Sequence, residues 1–245
     1  MHLLEINQLH KAFGGLAAIA GVDFYLDDGE ILGLIGPNGS GKTTLFNLIA
    51  GVLTPDSGTI KLEGRDITAA GAADICQMGI ARTFQIPLPF HRLTVLDNVK
   101  LGRAFGSAPA HNLEQAREEA DEILAFIGLE SKRLVISGSL GLLDRKRLEL
   151  GKALATRPKL LLLDEILAGL NPTEIDAAMV LIRAIRDSGI TLIVVEHVMK
   201  AIMGISDRLI VLNSGVKIAI GPPADVVRDK GVIQAYLGVD RHAQG

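Results

Sequence analysis

Short runs of aliphatic residues punctuate the chain. Ile31 to Ile35, Leu160 to Leu163, Leu192 to Val195 and Leu209 to Leu212 are apolar at consecutive positions. They lack the alternation of a half-exposed strand, so they predict strands buried on both faces, as in a parallel sheet. Between them, apolar residues recur at helical spacing over Thr43 to Gly51, Pro172 to Ser188 and His197 to Ile205. Strand and helix in alternation predict an α/β fold. Two regions break the rhythm. Residues 1–30 and 57–67 contain alternating segments such as Gly58-Thr-Ile-Lys-Leu-Glu-Gly, with turn signals Asp27-Asp-Gly and Pro55-Asp-Ser-Gly, and predict antiparallel strands beside the core. From about Pro87 to Lys152 the pattern is mostly helical; Asn112 to Ile127 is charged on one face and apolar on the other. Pro87 and Pro89 mark the entrance to this helical insert. No internal repeat or low-complexity tract is visible.

Composition narrows the class. With 245 residues, 48% hydrophobic and 22% charged, the chain is long enough to bury a substantial core. A net charge of −3 speaks against a broad basic face for nucleic acid. Cys76, the one cysteine, excludes an internal disulfide and a cysteine metal cluster. Mean hydropathy is high at +0.33. Even so, apolar stretches such as Gly14 to Val22 and Leu160 to Leu163 are cut by Asp23 and Asp164, far short of the about 20 residues a membrane span needs. The opening Met1-His-Leu-Leu-Glu-Ile has neither a basic nor an apolar leader region. A cytosolic protein is expected, its surplus apolar residues lying in buried strands or on a face that meets a partner.

Gly36-Pro37-Asn38-Gly39-Ser40-Gly41-Lys42-Thr43 fits the phosphate-loop pattern, followed by Thr44 and an apolar helical stretch. Its glycines let successive backbone N–H groups curl around phosphates, and the helix N-terminus adds partial positive charge. Lys42 suits the β and γ phosphates; the Thr43 hydroxyl suits magnesium. Downstream, Leu160-Leu-Leu-Leu ends in Asp164 and Glu165. A buried strand closing on two carboxylates places one on the metal and one beside the γ phosphate. Open α/β sheets bind ligands beyond the carboxyl ends of their strands.

With these residues in place, the chain from about residue 3 to 238 resembles the ATP-binding subunit of an ABC transporter. That resemblance implies a P-loop NTPase core with a mostly parallel sheet, an antiparallel β subdomain and a helical subdomain insert. The whole of 1–245 is expected to form one ATP-binding domain: 1–86 and 153–245 as the nucleotide-binding core, about 87–152 as the helical part. It further implies ATP and Mg2+ as ligands, and roles for particular residues. Gln85, in Ala81-Arg-Thr-Phe-Gln, would reach the magnesium and the attacking water and link the site to the membrane partner. His197, ending Val194-Val-Glu-His, would hydrogen-bond the γ phosphate. Phe13 would stack on adenine. Ala168-Gly-Leu-Asn171 is similar to the loop that crosses the dimer interface. Glu165 would be the general base or water positioner, while Lys42, the loop amides, Thr43, Asp164 and Mg2+ bind and neutralise charge.

Two departures stand out. The family carries Leu-Ser-Gly-Gly-Gln, or a near relative, before the strand that ends in the two carboxylates. At that spacing this chain reads Leu140-Gly141-Leu142-Leu143-Asp144. A similar string, Ile136-Ser-Gly-Ser-Leu140, lies four residues early, and using it would require an extra helical turn. In the family this motif caps the ATP held by the opposite subunit. Gly141 loses the serine hydroxyl, Leu143 adds a side chain where backbone approaches phosphate, and Asp144 brings a like charge. An asymmetric heterodimer is therefore favoured over a homodimer, with a normal companion signature completing this chain's own site. Arg145, Lys146 and Arg147 either line a solvated helix face or touch phosphate or ribose. The second departure is Ile166, where the family usually has proline after the glutamate; it alters turn stiffness rather than chemistry.

Within the family, Phe13-Gly-Gly-Leu, Gly79-Ile-Ala-Arg-Thr-Phe-Gln, Leu93-Thr-Val-Leu-Asp-Asn-Val, Ala168-Gly-Leu-Asn-Pro-Thr-Glu and the tail Val232-Ile-Gln-Ala-Tyr-Leu-Gly resemble the branched-chain amino-acid (Liv-type) importer ATPases. The implied partners are membrane permease chains, a second ATPase and, indirectly, a solute-binding protein. The implied location is peripheral, on the cytoplasmic face of the inner or plasma membrane. A permease helix would dock near Gln85 to Val99, where Leu88, Phe90 and Leu93 either line the groove or belong to the core. The same marks fit importers of urea or short amides. The competing classes are a catalytically weak or silent subunit and a soluble ABC protein acting on nucleic acid or ribosomes; the acidic balance and the lack of a long coiled-coil insert oppose the latter.

Overall fold

A computed structural model describes residues 2–237. In chain order the elements are β1 (Leu4–Phe13), β2 (Leu16–Leu26), β3 (Ile31–Ile35), α1 (Lys42–Ile49), β4 (Ser57–Leu62), β5 (Arg65–Asp66), α2 (Ala72–Gln77), β6 (Ile80–Arg82), α3 (Val95–Phe105) and α4 (Leu113–Phe126). Then follow α5 (Leu142–Ala155), β7 (Leu160–Asp164), α6 (Pro172–Asp187), β8 (Thr191–Val195), α7 (Met199–Ile205), β9 (Arg208–Asn213), β10 (Val216–Gly221), α8 (Pro223–Val226) and α9 (Lys230–Leu237). They divide into two compact units, residues 1–69 with 193–245 and residues 70–192.

In the first unit, β1 pairs antiparallel with both β2 and β4, and β4 pairs with β5. β3 pairs parallel with β9, from Leu32 opposite Arg208 to Ile35 opposite Val211. β10 folds back antiparallel on β9. All five residues of β3 are buried, as its unbroken apolar run requires. The carboxylate of Asp207 accepts from the Ile31 amide at 2.8 Å, and Arg208 pairs with Glu30, so the start of this parallel pair is pinned by charge.

In the second unit, β6 pairs parallel with β7, from Ile80 opposite Leu160 to Arg82 opposite Leu162. β7 is buried at every position. The helices α3, α4 and α5 supply the insert. α3 begins where Thr94 accepts from the Asp97 amide, and α4 where Asn112 accepts from the Gln115 amide. α6 opens with a full capping box: Asn171 and Glu174 exchange side-chain and backbone bonds, and Pro172 stands at the first helical position. The insert is braced by Arg103, 1% exposed, which bonds the carbonyls of Ala155 and Ala108 at 3.0 Å each and pairs with Glu119.

The architecture thus contains the parallel strands, antiparallel β part and helical insert that the residue pattern predicts. β6, β10, α2, α8 and α9 are additions the pattern did not single out.

Candidate functional site

The phosphate loop lies in the first unit, between β3 and α1. Two of its glycines are required by space. Gly36 has φ 152, and a Cβ there would fall 2.1 Å from the Leu212 carbonyl oxygen. Gly41, the N-cap of α1, has φ 107, and a Cβ there would fall 2.5 Å from the Ala18 oxygen. The loop is held where the Gly215 amide donates to the Ser40 backbone carbonyl at 2.9 Å. Gly41, as N-cap, has no side chain to accept from the first amides of α1, and the first turn of that helix holds no acidic residue. Those leading amides are therefore placed for an anion.

Lys42 is 7% exposed and folds back over this loop, donating to the carbonyls of Gly36 at 2.8 Å and Pro37 at 3.0 Å. The Ser40 hydroxyl oxygen is buried without a hydrogen-bond partner, an expensive state that a bound phosphate oxygen would relieve. Asn38, Gly39 and Thr43 are exposed at the loop's mouth, with Pro37 and Thr44 half-buried. Phe13, at the end of β1, is 49% exposed and so is no core residue; the Lys11 ammonium sits 5.8 Å from its ring centre. Lys11 also pairs with Asp56, and that hydrogen bond, with another from the Ala12 amide, holds the Asp56 carboxyl below the usual range. His197 is exposed in the bend between β8 and α7.

One contact here has no counterpart in the motif. Tyr236, on α9, has its phenol close to the backbone amide of Gly36. Burial pushes its pKa up, against the pull of that amide. The tail residues Val232 to Tyr236 mark the subfamily in the sequence, yet nothing in their pattern points to the loop. Gly238, the end of that quoted tail, lies outside the described residues.

The second unit carries the acidic pair. Asp164 closes β7 and accepts from Arg82 at 2.8 Å, both side chains being nearly buried. Thr83 secures the same strand ends: its amide donates to the Leu162 oxygen at 2.9 Å, and its hydroxyl accepts from the Asp164 amide at 3.3 Å. Glu165, half-buried, has φ 49, a left-handed conformation for a residue with a side chain. Gln85 donates its amide to the Glu165 carboxylate at 2.5 Å. Two residues singled out separately in the sequence are thus brought together.

The segment Gly141–Asp144 forms the start of α5. Gly141 is its N-cap, with φ −68, and Leu142, Leu143 and Asp144 fill the first turn. The earlier Ser137 is fully buried in a short 3-10 turn and donates to the Phe90 carbonyl at 3.0 Å, so it braces a loop rather than opening a helix. Asp144 pairs with Lys132, which offsets the like charge expected there. The basic run that follows is not a solvated face at its first two positions. Arg145 bonds the Leu140 carbonyl at 2.7 Å, and Lys146, 5% exposed, bonds the carbonyls of Ile166 at 2.8 Å and Glu165 at 3.2 Å.

Between β6 and α3 the chain exposes apolar side chains in succession: Phe84 47%, Ile86 73%, Leu88 60% and Phe90 55%. Leu88 and Phe90 are therefore not core, whereas Leu93 is half-buried. The loop is held from behind by Lys152, which donates to the Leu88 oxygen at 2.9 Å, and by Asn98, which accepts from the Phe90 amide at 2.8 Å. Among the described residues, no helix is long and apolar enough to cross a membrane, and no cluster of three or more His, Cys, Asp or Glu residues could hold a metal.

Comparison with known proteins agrees with this geometry. The ABC transporter family matches residues 19–168, and the C-terminal family of the branched-chain amino acid ATP-binding cassette transporters matches residues 216–242. The high-affinity branched-chain amino acid transport ATP-binding protein LivG of Salmonella typhimurium is 39% identical over 96% of this chain and 98% of its own. BraF of Pseudomonas aeruginosa, of the same description, is 35% identical over the same shares. A crystal structure of the ADP conformation of MJ1267, an ATP-binding cassette of an ABC transporter, superposes with TM-score 0.88 at 33% identity, covering 97% of this chain and 99% of that one. A phosphate loop that tolerates only glycine at Gly36, a buried strand ending in Asp164 and Glu165, and likeness to these cassettes along nearly the whole length identify the chain as an ATPase belonging to the ABC transporter ATP-binding family.

Proposed function

We propose that this ATPase powers a membrane importer for branched-chain or related amino acids, working beside membrane permease chains and a second ATPase at the cytoplasmic face of the membrane. The observation that carries the substrate class is the tail: residues 216–242 match the C-terminal family of the branched-chain amino acid cassettes, and LivG and BraF are similar across nearly their full length. The solute itself would be bound by the permease and a separate binding protein. The exposed row Phe84, Ile86, Leu88 and Phe90 supports docking of a permease segment beside Gln85. The whole chain is read as one ATP-binding domain, with about 87–152 as its helical part.

In the hydrolysis assigned to the site, Lys42 and the loop amides hold the phosphates, Phe13 stacks on adenine, and His197 donates to the γ phosphate. Thr43, Asp164 and Gln85 supply oxygen donors of the kind Mg2+ takes together with phosphate oxygens and water. The orphan Ser40 hydroxyl and the narrow cradle at Gly36 suit a phosphate ligand carrying that ion. Magnesium, when bound, neutralises charge on the phosphate oxygens. Glu165 takes a proton from water as the water oxygen bonds to the γ phosphorus and the bond to the ADP oxygen breaks; Gln85 holds its carboxylate. Uptake of labelled leucine, isoleucine or valine into vesicles containing the co-expressed transporter tests the substrate class. Uptake of urea or short amides instead would replace it.

The altered signature favours an asymmetric pair. Gly141 offers no hydroxyl at the start of α5, and Leu143 fills its first turn. A second ATPase with an intact motif would complete this chain's own site. Comparing ATP turnover by this chain alone with turnover beside that companion tests the reading: full activity alone removes it, and no activity in either setting favours a silent scaffold.

A further inference from the structure

The turn that carries Glu165 is unusual in two respects. Glu165 has φ 49, a conformation that residues with side chains hold only when the surroundings impose it. Ile166 follows, where a proline would have stiffened the chain. The Ala168 amide donates to the Glu165 carbonyl at 3.2 Å, and a cation grips the turn as well. Lys146 is 5% exposed, and its ammonium donates to the Ile166 carbonyl at 2.8 Å and to the Glu165 carbonyl at 3.2 Å. Charge-assisted bonds of this kind are the stronger class, and a buried ammonium cannot release its acceptors without replacement. Its neighbour Arg145 is committed elsewhere, to the carbonyls of Leu140 and Gly138. Lys146 stands in the second turn of α5, just beyond the Gly141–Asp144 segment that begins the helix. A single side chain therefore joins the start of α5 to the backbone of the acidic turn.

We propose that Lys146 is a positioning residue for Glu165: by gripping two successive carbonyls it fixes the direction of the carboxylate. This rests on the reading of Glu165 as general base.

The test is Mg-ATP turnover by the full chain in its transporter assembly, for Lys146→Met, Lys146→Arg, Glu165→Gln and the Lys146→Met, Glu165→Gln double variant, with thermal melts alongside. Lys146→Met is expected to lower kcat about tenfold or more while KM for ATP moves less than about threefold, since misplacing a catalytic group acts on the chemical step. Lys146→Arg, which retains a charged fork of donors, should recover kcat to within about threefold of wild type. In the Glu165→Gln background, Lys146→Met should cause no further loss, there being no carboxylate base left to direct. A folded Lys146→Met variant with wild-type kcat overturns the proposal. So does a loss that persists undiminished in the Glu165→Gln background, or one in which kcat and KM shift together with a lowered melting temperature. Should Lys146→Met fail to fold, Lys146→Gln, whose amide donates more weakly, takes its place in every comparison, and the same outcomes support or overturn the proposal. Wild-type turnover by Glu165→Gln sinks the general-base reading and the proposal with it, whereas an inactive Glu165→Gln beside a fully active Lys146→Met sinks the proposal alone.

Discussion

Gln85 and Glu165 lie 80 positions apart in the chain, yet the amide of one donates to the carboxylate of the other across 2.5 Å. The bond does two things. It restrains a half-buried carboxylate that would otherwise sample several rotamers, and it fixes which way the Gln85 amide faces. Glu165→Gln is expected to lower kcat about 10²- to 10⁴-fold, the usual worth of a general base, with ATP affinity little changed. Gln85→Leu removes that restraint together with the oxygen donor proposed for Mg2+ while leaving the base itself in place, and should cost about tenfold. Single-turnover hydrolysis beside equilibrium binding separates the two effects. A larger loss from Gln85→Leu than from Glu165→Gln would reverse the assigned roles.

The Arg82–Asp164 pair predicts a stability effect. Both side chains are close to fully buried, at 10% and 8% exposure. Removing one partner of a buried pair leaves the other uncompensated, at a cost of about 3–5 kcal/mol. Arg82→Met should thus lower the urea midpoint markedly, and Arg82→Lys should recover part of the loss. A change below about 0.5 kcal/mol would mean water already reaches Asp164 in the folded protein.

These pairs explain what was and was not legible in the sequence. The strands β3, β7, β8 and β9 stood out because burial on both faces demands consecutive apolar residues, and the phosphate loop because its backbone leaves room only for glycine at Gly36. β6, three residues long, offers too short a run to recognise. β10 escaped because its apolar residues Val216, Ile218 and Ile220 are the exposed ones, so its pattern points away from the core. The partners of the acidic turn were hidden for a different reason. Nothing local distinguishes Lys146 from Arg145 and Arg147, and only the fold decides which of the three is buried against carbonyls. Likewise Arg82 acquires its partner from the parallel pairing of β6 with β7.

Arg103 and Glu119 give the molecule a pH-dependent element inside its helical insert. Burial pushes the Glu119 carboxyl up, but hydrogen bonds from Arg103 and Gln115, with the charges of Arg103 and Arg157, hold it below the ordinary carboxylate range. A carboxyl depressed in the folded state stabilises fully above its unfolded pKa, about 4.3. That stability is lost as pH falls from there through the folded value. Glu119→Gln should therefore be less stable than wild type at pH 7, with the difference shrinking as the solution is acidified below about pH 4.5. Urea melts across that range check it, and a difference independent of pH would assign the effect to packing.

Gly141 offers the sharpest test of the asymmetric pair, because the missing hydroxyl can be restored without strain. Its φ is −68 and its ψ 171, open to any residue, and a Cβ there would meet nothing within 4 Å. Serine and glycine at an N-cap differ by only a few tenths of a kcal/mol, so Gly141→Ser should leave the melting temperature almost unchanged. If the lost hydroxyl weakens the site that this segment covers on a second copy of the protein, Gly141→Ser should raise ATP turnover of the chain alone by about 10²-fold, the lower end of the scale for one preorganised donor. Beside a companion ATPase, the gain should appear only at the companion's site, and so be blocked by a substitution in the companion's own phosphate-loop lysine. An unchanged rate in both settings would place the deficit at Leu143, whose side chain occupies the first turn of the same helix.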